Sequence, residues 1–241
     1  MDNKLLSIGQ TAKLLGASID TLRRWDKSGK LKPFRPSQST HRYYKTADLD
    51  LFLNDLEIIT KGWATTENPY NPPEDYYCQS RDIFEGRLIK LQNILAKDLT
   101  LQKIFSLIVS IAGEIGNNSF DHNLGAWPDI PGIFFGYDLP RKKIVLADRG
   151  QGILKTLQRV RASLQKDEEA LKVAFSEILS GRAPEARGNG LKFVKKVITE
   201  NPLTLLFQSG NAELFIQEHE KKLETKILPA SFHGCIAIIN Y

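Results

Sequence analysis

Residues 114–121, EIGNNSFD, are the stretch of sequence that decides the fold of this chain. They lie within residues 101–122, where apolar side chains recur at helical spacing, so the pattern predicts a helix there. On that helix Glu114, Asn118 and Asp121 share one stripe, at positions i, i+4 and i+7. Such a polar stripe either satisfies buried partners or lines a site, and an Asn one turn from an acid can hold a metal ion. The helix alone leaves both interpretations open.

Two glycine-bearing segments lie further along the chain. Residues 143–153, KIVLADRGQGI, are a β-branched run that leads into Asp148, Gly150 and Gly152, where a bare backbone can approach a ligand closely. Residues 187–194, RGNGLKFV, place glycines before a predicted helix, whose N-terminal N–H groups and dipole favour a phosphate. Each segment alone is compatible with an ordinary turn.

The three segments together, in this order and spacing, resemble the N box and the two glycine boxes of the histidine-kinase-like (GHKL) ATPase family. The resemblance covers residues 101–241 and implies a two-layer α/β sandwich of the Bergerat type, with a mixed sheet covered by helices on one face. It also implies that ATP and Mg²⁺ bind between the N-box helix and the segment before Gly188. The cofactor-binding residues implied in this way are Asn118, Asp121, Asp148, Gly150, Gly152, Ile153, Arg187, Gly188, Asn189, Gly190 and Leu191.

The resemblance also implies a role for the principal side chains. Asp148 accepts the adenine amino group and so selects adenine over guanine, which presents an acceptor at that place. Asn118 coordinates the Mg²⁺ that bridges the phosphates, because hard oxygen ligands suit that ion. Cations near the second glycine box neutralise phosphate charge, and the candidates are Arg182, Arg187 and Lys192.

Glu114 is the predicted catalytic residue, because the family uses an acid there to orient or deprotonate the nucleophile that attacks the γ-phosphate. That nucleophile is water in gyrase, MutL and the heat-shock chaperones, and a protein serine in the anti-sigma-factor kinases. Asp121 resembles the first group and His122 the second, so we predict an ATPase, with a serine protein kinase acting on a partner protein as the alternative. A sensor histidine kinase is disfavoured, since none of the four histidines lies in an HExxxP-type segment.

The positive charge of the chain is concentrated near its N-terminus. Residues 1–46 hold six Lys and four Arg against three Asp, a net charge of +7, whereas the whole chain carries +5. Phosphate contacts and counterion release need clustered cations, so we predict a polyanion partner for this segment alone. A solvated basic face is the alternative on charge alone.

The same segment has helix-turn-helix spacing. Residues 7–10, SIGQ, form a capping box for a first helix, and Ser18 caps a second helix over residues 19–28 that ends at Gly29. Two prolines fix extended geometry within residues 31–44, whose flanks can pair as a small β-wing.

With a further helix that begins at Thr46, residues 5–56 resemble a MerR-type winged helix, particularly the compact version found in excisionases. The resemblance implies double-stranded DNA as the partner, with the second helix in the major groove. The residues predicted to contact DNA are Thr21, Arg23, Arg24, Lys27, Arg35, His41, Arg42, Tyr43 and Lys45.

The predicted fold class is therefore α+β, in four parts. These are a winged helix-turn-helix over residues 1–58, a linker or arm over 59–80, a connecting helix over 81–100 and the ATP-binding domain over 101–241. No run approaches the roughly 18 apolar residues of a membrane span, and no secretory pattern opens the chain, so a cytoplasmic protein is expected. The two cysteines form no CxxC pair, which argues against a zinc site or a disulfide framework.

The pairing of the two modules predicts a DNA-binding regulator in which Mg-ATP binding or hydrolysis modulates DNA engagement. Because winged-helix proteins commonly bind two half-sites, we expect a homodimer. An adaptor with a degenerate ATP site, working through a protein partner, is a further hypothesis.

Overall fold

The computed structural model describes residues 4–29, 31–36, 41–53, 55–177 and 190–241. The chain divides into two units, Met1–Ile59 and Thr60–Tyr241. The stretch predicted as a linker or arm, 59–80, thus belongs, apart from Ile59, to the second unit, together with the predicted connecting helix.

Short helices and two short strands build the first unit. Its elements are β1 (Leu5–Ser7), α1 (Ile8–Leu14), α2 (Ile19–Ser28), β2 (Tyr43–Lys45), α3 (Thr46–Leu53) and the start of α4 (Leu56–Thr65). The predicted capping box is confirmed, since the Gln10 N–H donates to the Ser7 hydroxyl and the Gln10 side chain accepts from the Ser7 N–H. The second helix is confirmed over the predicted residues, and it ends at Gly29 in the left-handed conformation.

The second flank of the predicted wing pairs mainly with the N-terminal strand and not with the first flank. β2 lies antiparallel to β1, and the wing itself is represented among the described residues by one bridge between Phe34 and Tyr43. Beneath these strands lies a small core of buried apolar side chains: Ala12, Leu22, Leu31, Tyr44, Leu49 and Phe52.

The second unit is a sheet with helices packed on it. Its further elements are β3 (Tyr77–Cys78), α5 (Arg81–Leu95), a 3-10 turn (Leu99–Leu101), α6 (Phe105–Asn123), β4 (Ile133–Asp138), β5 (Lys143–Asp148), α7 (Gly152–Gln158), α8 (Asp167–Ser176), α9 (Gly190–Glu200), β6 (Thr204–Gln217) and β7 (Thr225–Asn240).

The five strands have the order β3-β4-β5-β7-β6, and every described pair is antiparallel. The predicted α+β fold and the α/β layering are confirmed, whereas the predicted mixed strand directions are wrong. The reason is that β6 and β7 form one long hairpin with β7 placed between β5 and β6. β6 is the strand reached from β5 through the helices that follow it. Because β7 lies between them, β6 is not a neighbour of β5 and cannot form a parallel pair with it.

Both faces of the central strands are buried. Ile133 and Phe135 of β4 join the main core together with side chains of α5, α6, α8 and α9. Phe134 points to the opposite face, where its ring lies 6.0 Å from Trp63 and 5.0 Å from Tyr76. The stretch predicted as a linker or arm thus packs on the sheet.

No helix in the described ranges combines the length and the apolar character that a membrane crossing needs. Both cysteines are free thiols, and burial raises the pKa of Cys78 to about 11.

Candidate nucleotide site and candidate DNA interface

The N-box helix α6 and the second glycine box meet at two residues. Gly190 is the first residue of α9, and the Glu114 carboxylate lies where a side chain on Gly190 would have to be. A Cβ at this point would overlap the carboxylate unless the Glu114 side chain shifted, so glycine permits this close approach. The structure therefore brings together the predicted catalytic acid and the described end of the second box. Arg182, Arg187, Gly188 and Asn189 lie outside the described residues.

Asp148 stands at the end of β5 and is buried, with 2% of its surface exposed. The Ser119 hydroxyl of α6 donates to its Oδ2 at 2.7 Å, and the Gly150 N–H donates to its Oδ1 at 2.8 Å. Burial raises the pKa of Asp148, and these two hydrogen bonds act in the opposite direction by favouring the ionised form. The predicted adenine-reading carboxylate is thus joined to the N-box helix through Ser119.

The loop between Gly150 and Ile153 is fixed by two side chains that the motifs did not indicate. The Gln151 N–H donates to the Asn123 side chain at 2.8 Å, and that amide also fills the space beside Gly150. The Ile153 N–H donates to the Ser209 hydroxyl at 2.9 Å. Gly152 has a φ of 76°, which favours glycine at this turn.

Asn123 had a weak signal in the sequence, because it follows Asn118 on the same helix. Ser209 had none, since it lies 56 residues beyond Ile153 in the chain, at the irregular point of the β6–β7 pairing. Only the sheet brings it to the loop.

Asp121, which the resemblance placed in the nucleotide-binding set, forms an ion pair with Arg81 at the start of α5. Its carboxylate therefore faces a neighbouring helix, while Ser119, on another side of the same helix, faces Asp148. Ser119 and Asp121, both in the N box, thus contact different elements of the second unit.

Two asparagine side chains of the N box are candidates for a ligand contact. Asn117, one turn after Glu114, has a buried side-chain oxygen with no hydrogen-bond partner among the described residues. Asn118 is half-buried. The described ranges contain no cluster of three or more His, Cys, Asp or Glu side chains that could hold a metal ion. Asn118 is the residue that would hold a Mg²⁺, because its amide oxygen is a hard ligand of the kind that ion prefers. Ile153 and Leu191 are half-buried and pack against the main core.

In the first unit, two of the predicted DNA-contacting arginines share one carboxylate. Asp26 of α2 accepts from the Arg42 Nε at 2.7 Å and from an Arg35 Nη at 2.5 Å. Burial alone would raise the pKa of Asp26, but the two guanidinium groups outweigh it and the pKa is lowered. Arg35 and Arg42 thus connect the wing segment to α2.

The other predicted DNA-contacting cations are distributed over α2 and β2. On α2, Arg23 pairs with Asp20 at 2.9 Å, Arg24 donates to the hydroxyl of Thr21 at 3.3 Å, and Lys27 is exposed. Beyond α2, the Lys45 ammonium lies 5.3 Å from the centre of the Phe34 ring, Tyr43 is half-buried in β2 and His41 is exposed.

The N-terminal segment is similar to known regulators. Residues 7–44 match the model of the MerR family regulatory protein. The chain is 31% identical over 96 residues to the HTH-type transcriptional activator TipA of Streptomyces coelicolor and, equally, of Streptomyces lividans. Each match covers 37% of this chain and 38% of the relative. The chain is also 44% identical over 57 residues to the Type II methyltransferase M.Eco47II of Escherichia coli, covering 24% of this chain and 14% of that protein.

Among solved structures, the chain is similar to the topoisomerase IV ATP-binding domain of Francisella tularensis in complex with a small-molecule inhibitor. That similarity has a TM-score of 0.34 and 14% identity, and covers 59% of this chain and 40% of the other. The chain spans little more than a third of the length of the TipA relatives. Its N-terminal segment matches the family model over both helices and the first two residues of β2. Residues 7–44 are thus a helix-turn-helix segment of the MerR regulatory family.

Proposed function

We propose that this protein is a DNA-binding transcription regulator in which ATP, bound in the second unit, modulates DNA engagement by the first. The first unit contributes a MerR-family helix-turn-helix and the concentrated positive charge of residues 1–46. Its recognition helix is α2, whose exposed cations are suited to phosphates and base edges of double-stranded DNA. The TipA relatives are named as transcriptional activators, which supports the regulatory part of the proposal.

One observation carries the nucleotide part of the proposal. Along the single helix α6, Glu114 lies against Gly190 of the second glycine box and Ser119 holds Asp148 at the first. The two glycine boxes, which are far apart in the sequence, therefore both contact this helix, which supports a site with an adenine-reading carboxylate at one end and a phosphate-binding helix start at the other. Asn118, between these two contacts on the same helix, is the residue that would hold Mg²⁺. The bound ion would neutralise phosphate charge.

A homodimer is part of the proposal, because paired half-sites require two copies of α2. ATP would then act by changing the population of the dimer arrangement that fits both half-sites. A protein partner that responds to the same change is compatible with this scheme.

The test is DNA binding with and without nucleotide. A duplex selected by the protein from a random-sequence pool is titrated by fluorescence anisotropy without nucleotide, with Mg-ATP and with Mg-GTP. We expect Mg-ATP to change the affinity by about fivefold or more, the lower end of ordinary allosteric coupling, and Mg-GTP to leave it unchanged. Identical affinities and footprints in the three conditions would exclude the modulation.

A second candidate function is turnover of ATP, with water or a partner serine as the nucleophile. The position of Glu114 favours it, because an acid beside the described start of α9 can act on a nucleophile at the phosphate end of the site. Incubation with γ-labelled ATP, with and without a cell extract, distinguishes free phosphate from a phosphoprotein. If neither forms, ATP is sensed and not consumed.

A further inference from the structure

Arg149 lies between Asp148 and Gly150 in the first glycine box. Its side chain points away from the face of the loop where the nucleotide is proposed to bind. Only 2% of its surface is exposed. Its Nη1 donates to the carbonyls of Trp63 and Ala64 at 2.8 and 3.1 Å, and its Nη2 donates to the carbonyl of Thr66 at 2.9 Å. The residue next to the adenine-reading position therefore holds the segment that opens the second unit.

The remaining donors of the guanidinium are also satisfied. Its Nε and Nη2 donate to one oxygen of Asp129 at 2.9 and 2.7 Å, and His233 lies beside the pair. Burial opposes ionisation of Asp129, but the bonds from Arg149 outweigh it and the pKa of Asp129 is lowered. A guanidinium has five N–H donors in a fixed planar fork, and here each has an acceptor. A displacement of this group therefore breaks several bonds at once.

The segment held by Arg149 is the end of a helix that begins in the first unit. α4 runs over Leu56–Thr65, so it crosses the division after Ile59. The carbonyls that Arg149 binds lie in and just after its last turn, where helix carbonyls lack internal partners and the dipole favours a cation. Trp63 in the same turn is fully buried, and its indole N–H donates to the Tyr70 carbonyl at 2.8 Å. Residues 63–66 are thus bound to Arg149, and Trp63 is bound in turn to Tyr70.

The loop at residues 148–150 is closely packed, so Asp148 and Gly150 cannot shift unless Arg149 shifts with them. Gly234 of β7 has a φ of 93°, and the carbonyl oxygen of Asp148 occupies the place where its side chain would be. On the other side of the loop the Asn123 amide fills the space beside Gly150. A ligand that shifts Asp148 or Gly150 therefore shifts the backbone of Arg149 between them.

From this geometry we infer that Arg149 is a positioning residue, which transmits nucleotide occupancy beside Asp148 and Gly150 to residues 60–66 and from there to the DNA-binding unit. The inference rests on the proposed function, since it requires ATP in the second unit. Arg149 acts through the carbonyls of α4 and touches neither the DNA nor the reacting atoms.

Three full-length variants test the inference: R149M removes every donor, R149K keeps the charge without the planar fork, and R141M is the control. Arg141 is an exposed arginine of the β4–β5 turn that pairs with Asp138. For each protein we measure Mg-ATP affinity by calorimetry, amide hydrogen exchange in residues 60–66 with and without Mg-ATP, and DNA affinity with and without Mg-ATP.

In the unsubstituted protein and in R141M, we expect Mg-ATP to change amide exchange in residues 60–66 and the DNA affinity together. In R149M we expect Mg-ATP affinity within about threefold of the original, exchange in residues 60–66 that is fast in both conditions, and no effect of Mg-ATP on DNA. R149K shows the same loss in weaker form, because an ammonium cannot span the carbonyls and Asp129 together. It serves as the test protein if R149M does not fold.

The outcomes separate this inference from the proposed function. If the unsubstituted protein does not bind ATP, or if ATP leaves both DNA affinity and exchange in residues 60–66 unchanged, the proposed function and the inference fall together. If ATP modulates DNA affinity equally in the original protein and in both Arg149 variants, the proposed function stands and the inference is overturned.

Discussion

The hydroxyl of Ser119 donates a 2.7 Å hydrogen bond to the buried carboxylate of Asp148 and so ties the C-terminal part of α6 to the end of β5. Ser119 is the direct neighbour of Asn118, and the predicted catalytic Glu114 lies further back on the same helix. A change in the orientation of α6 is therefore felt at both glycine boxes.

Removing this hydroxyl destabilises the fold in a pH-dependent way. In S119A, Asp148 loses a hydrogen bond that favours its ionised form, so we expect a loss of about 1–3 kcal/mol in the free energy of unfolding at pH 7. The pKa of Asp148 is already raised above its ordinary 3.8, and it rises further in the variant. The folded state thus binds the proton more readily than the unfolded state, and the difference between variant and original shrinks as the pH falls and Asp148 becomes protonated.

Urea denaturation between pH 4 and pH 8 measures this effect. S110A is the matched control, because Ser110 lies on the same helix and its hydroxyl donates to the Ser106 carbonyl at the surface. A loss of stability in S119A that is the same at every pH would contradict the assigned bond.

Gly190→Ala places a methyl group where the Glu114 carboxylate now lies. Since that carboxylate is the end of a flexible side chain, we expect it to move, at a cost of about 1–3 kcal/mol in the free energy of unfolding. If the chain turns ATP over, G190A loses turnover as if Glu114 had been removed. The double variant E114A/G190A regains part of the lost stability, because the overlap is gone.

The control for this substitution is Gly86→Ala. Gly86 lies within α5 with nothing in the space that a side chain would fill, so alanine there stabilises the helix by up to about 1 kcal/mol. A destabilised G86A, or a G190A as stable and active as the original, would argue against the close contact between the two boxes.

The proposed division of labour between binding and turnover is tested by two single-atom substitutions. E114Q keeps the shape of the side chain but cannot accept a proton, so we expect unchanged ATP affinity and a turnover lower by about 100-fold or more. D148N loses a charged acceptor, and ATP affinity falls by about tenfold or more. Calorimetry and release of labelled phosphate separate the two effects. Full turnover in E114Q would remove Glu114 from the catalytic role.

The sequence motifs predicted the residues that meet, but not all of those that hold them. Glu114, Asp148 and Gly190 stand out in the sequence because their types and order match the motifs of the nucleotide-binding family that the chain resembles. Ser209 and Arg149 do not stand out, since a serine on a distant strand and an arginine at a position that the motif leaves unspecified carry no periodic signal. The contacts that select them exist only after the sheet has formed.

Residues 60–77, which fall in the stretch predicted as a linker or an ordered arm, do not reveal by their own pattern what they pack against. Prolines, asparagines and tyrosines without periodicity predicted a linker or arm, yet Trp63 and Tyr76 cover Phe134. The signal lay elsewhere in the chain, because Ile133-Phe134-Phe135 is apolar on both sides of the strand. A strand that is apolar on both faces needs a cover on each. Helices supply one cover, and the supposed linker supplies the other.

The cations of the predicted DNA interface fall into two groups, those exposed on α2 and those that connect the wing segment to α2. Arg24 is exposed on α2 and contacts the hydroxyl of Thr21, whereas Arg42 is half-buried and bound to Asp26. We expect R24A to weaken DNA binding and to reduce the slope of log affinity against log salt concentration by about 1. The free energy of unfolding of R24A should stay within about 0.5 kcal/mol of the original. R42A should instead lower the melting temperature of the first unit, since Asp26 keeps only Arg35. Salt titrations of DNA binding, combined with thermal unfolding of both variants, distinguish the two roles. An unchanged salt slope in R24A together with an intact melting temperature in R42A would reverse the assignment, because Arg42 would then be the better candidate for a phosphate contact.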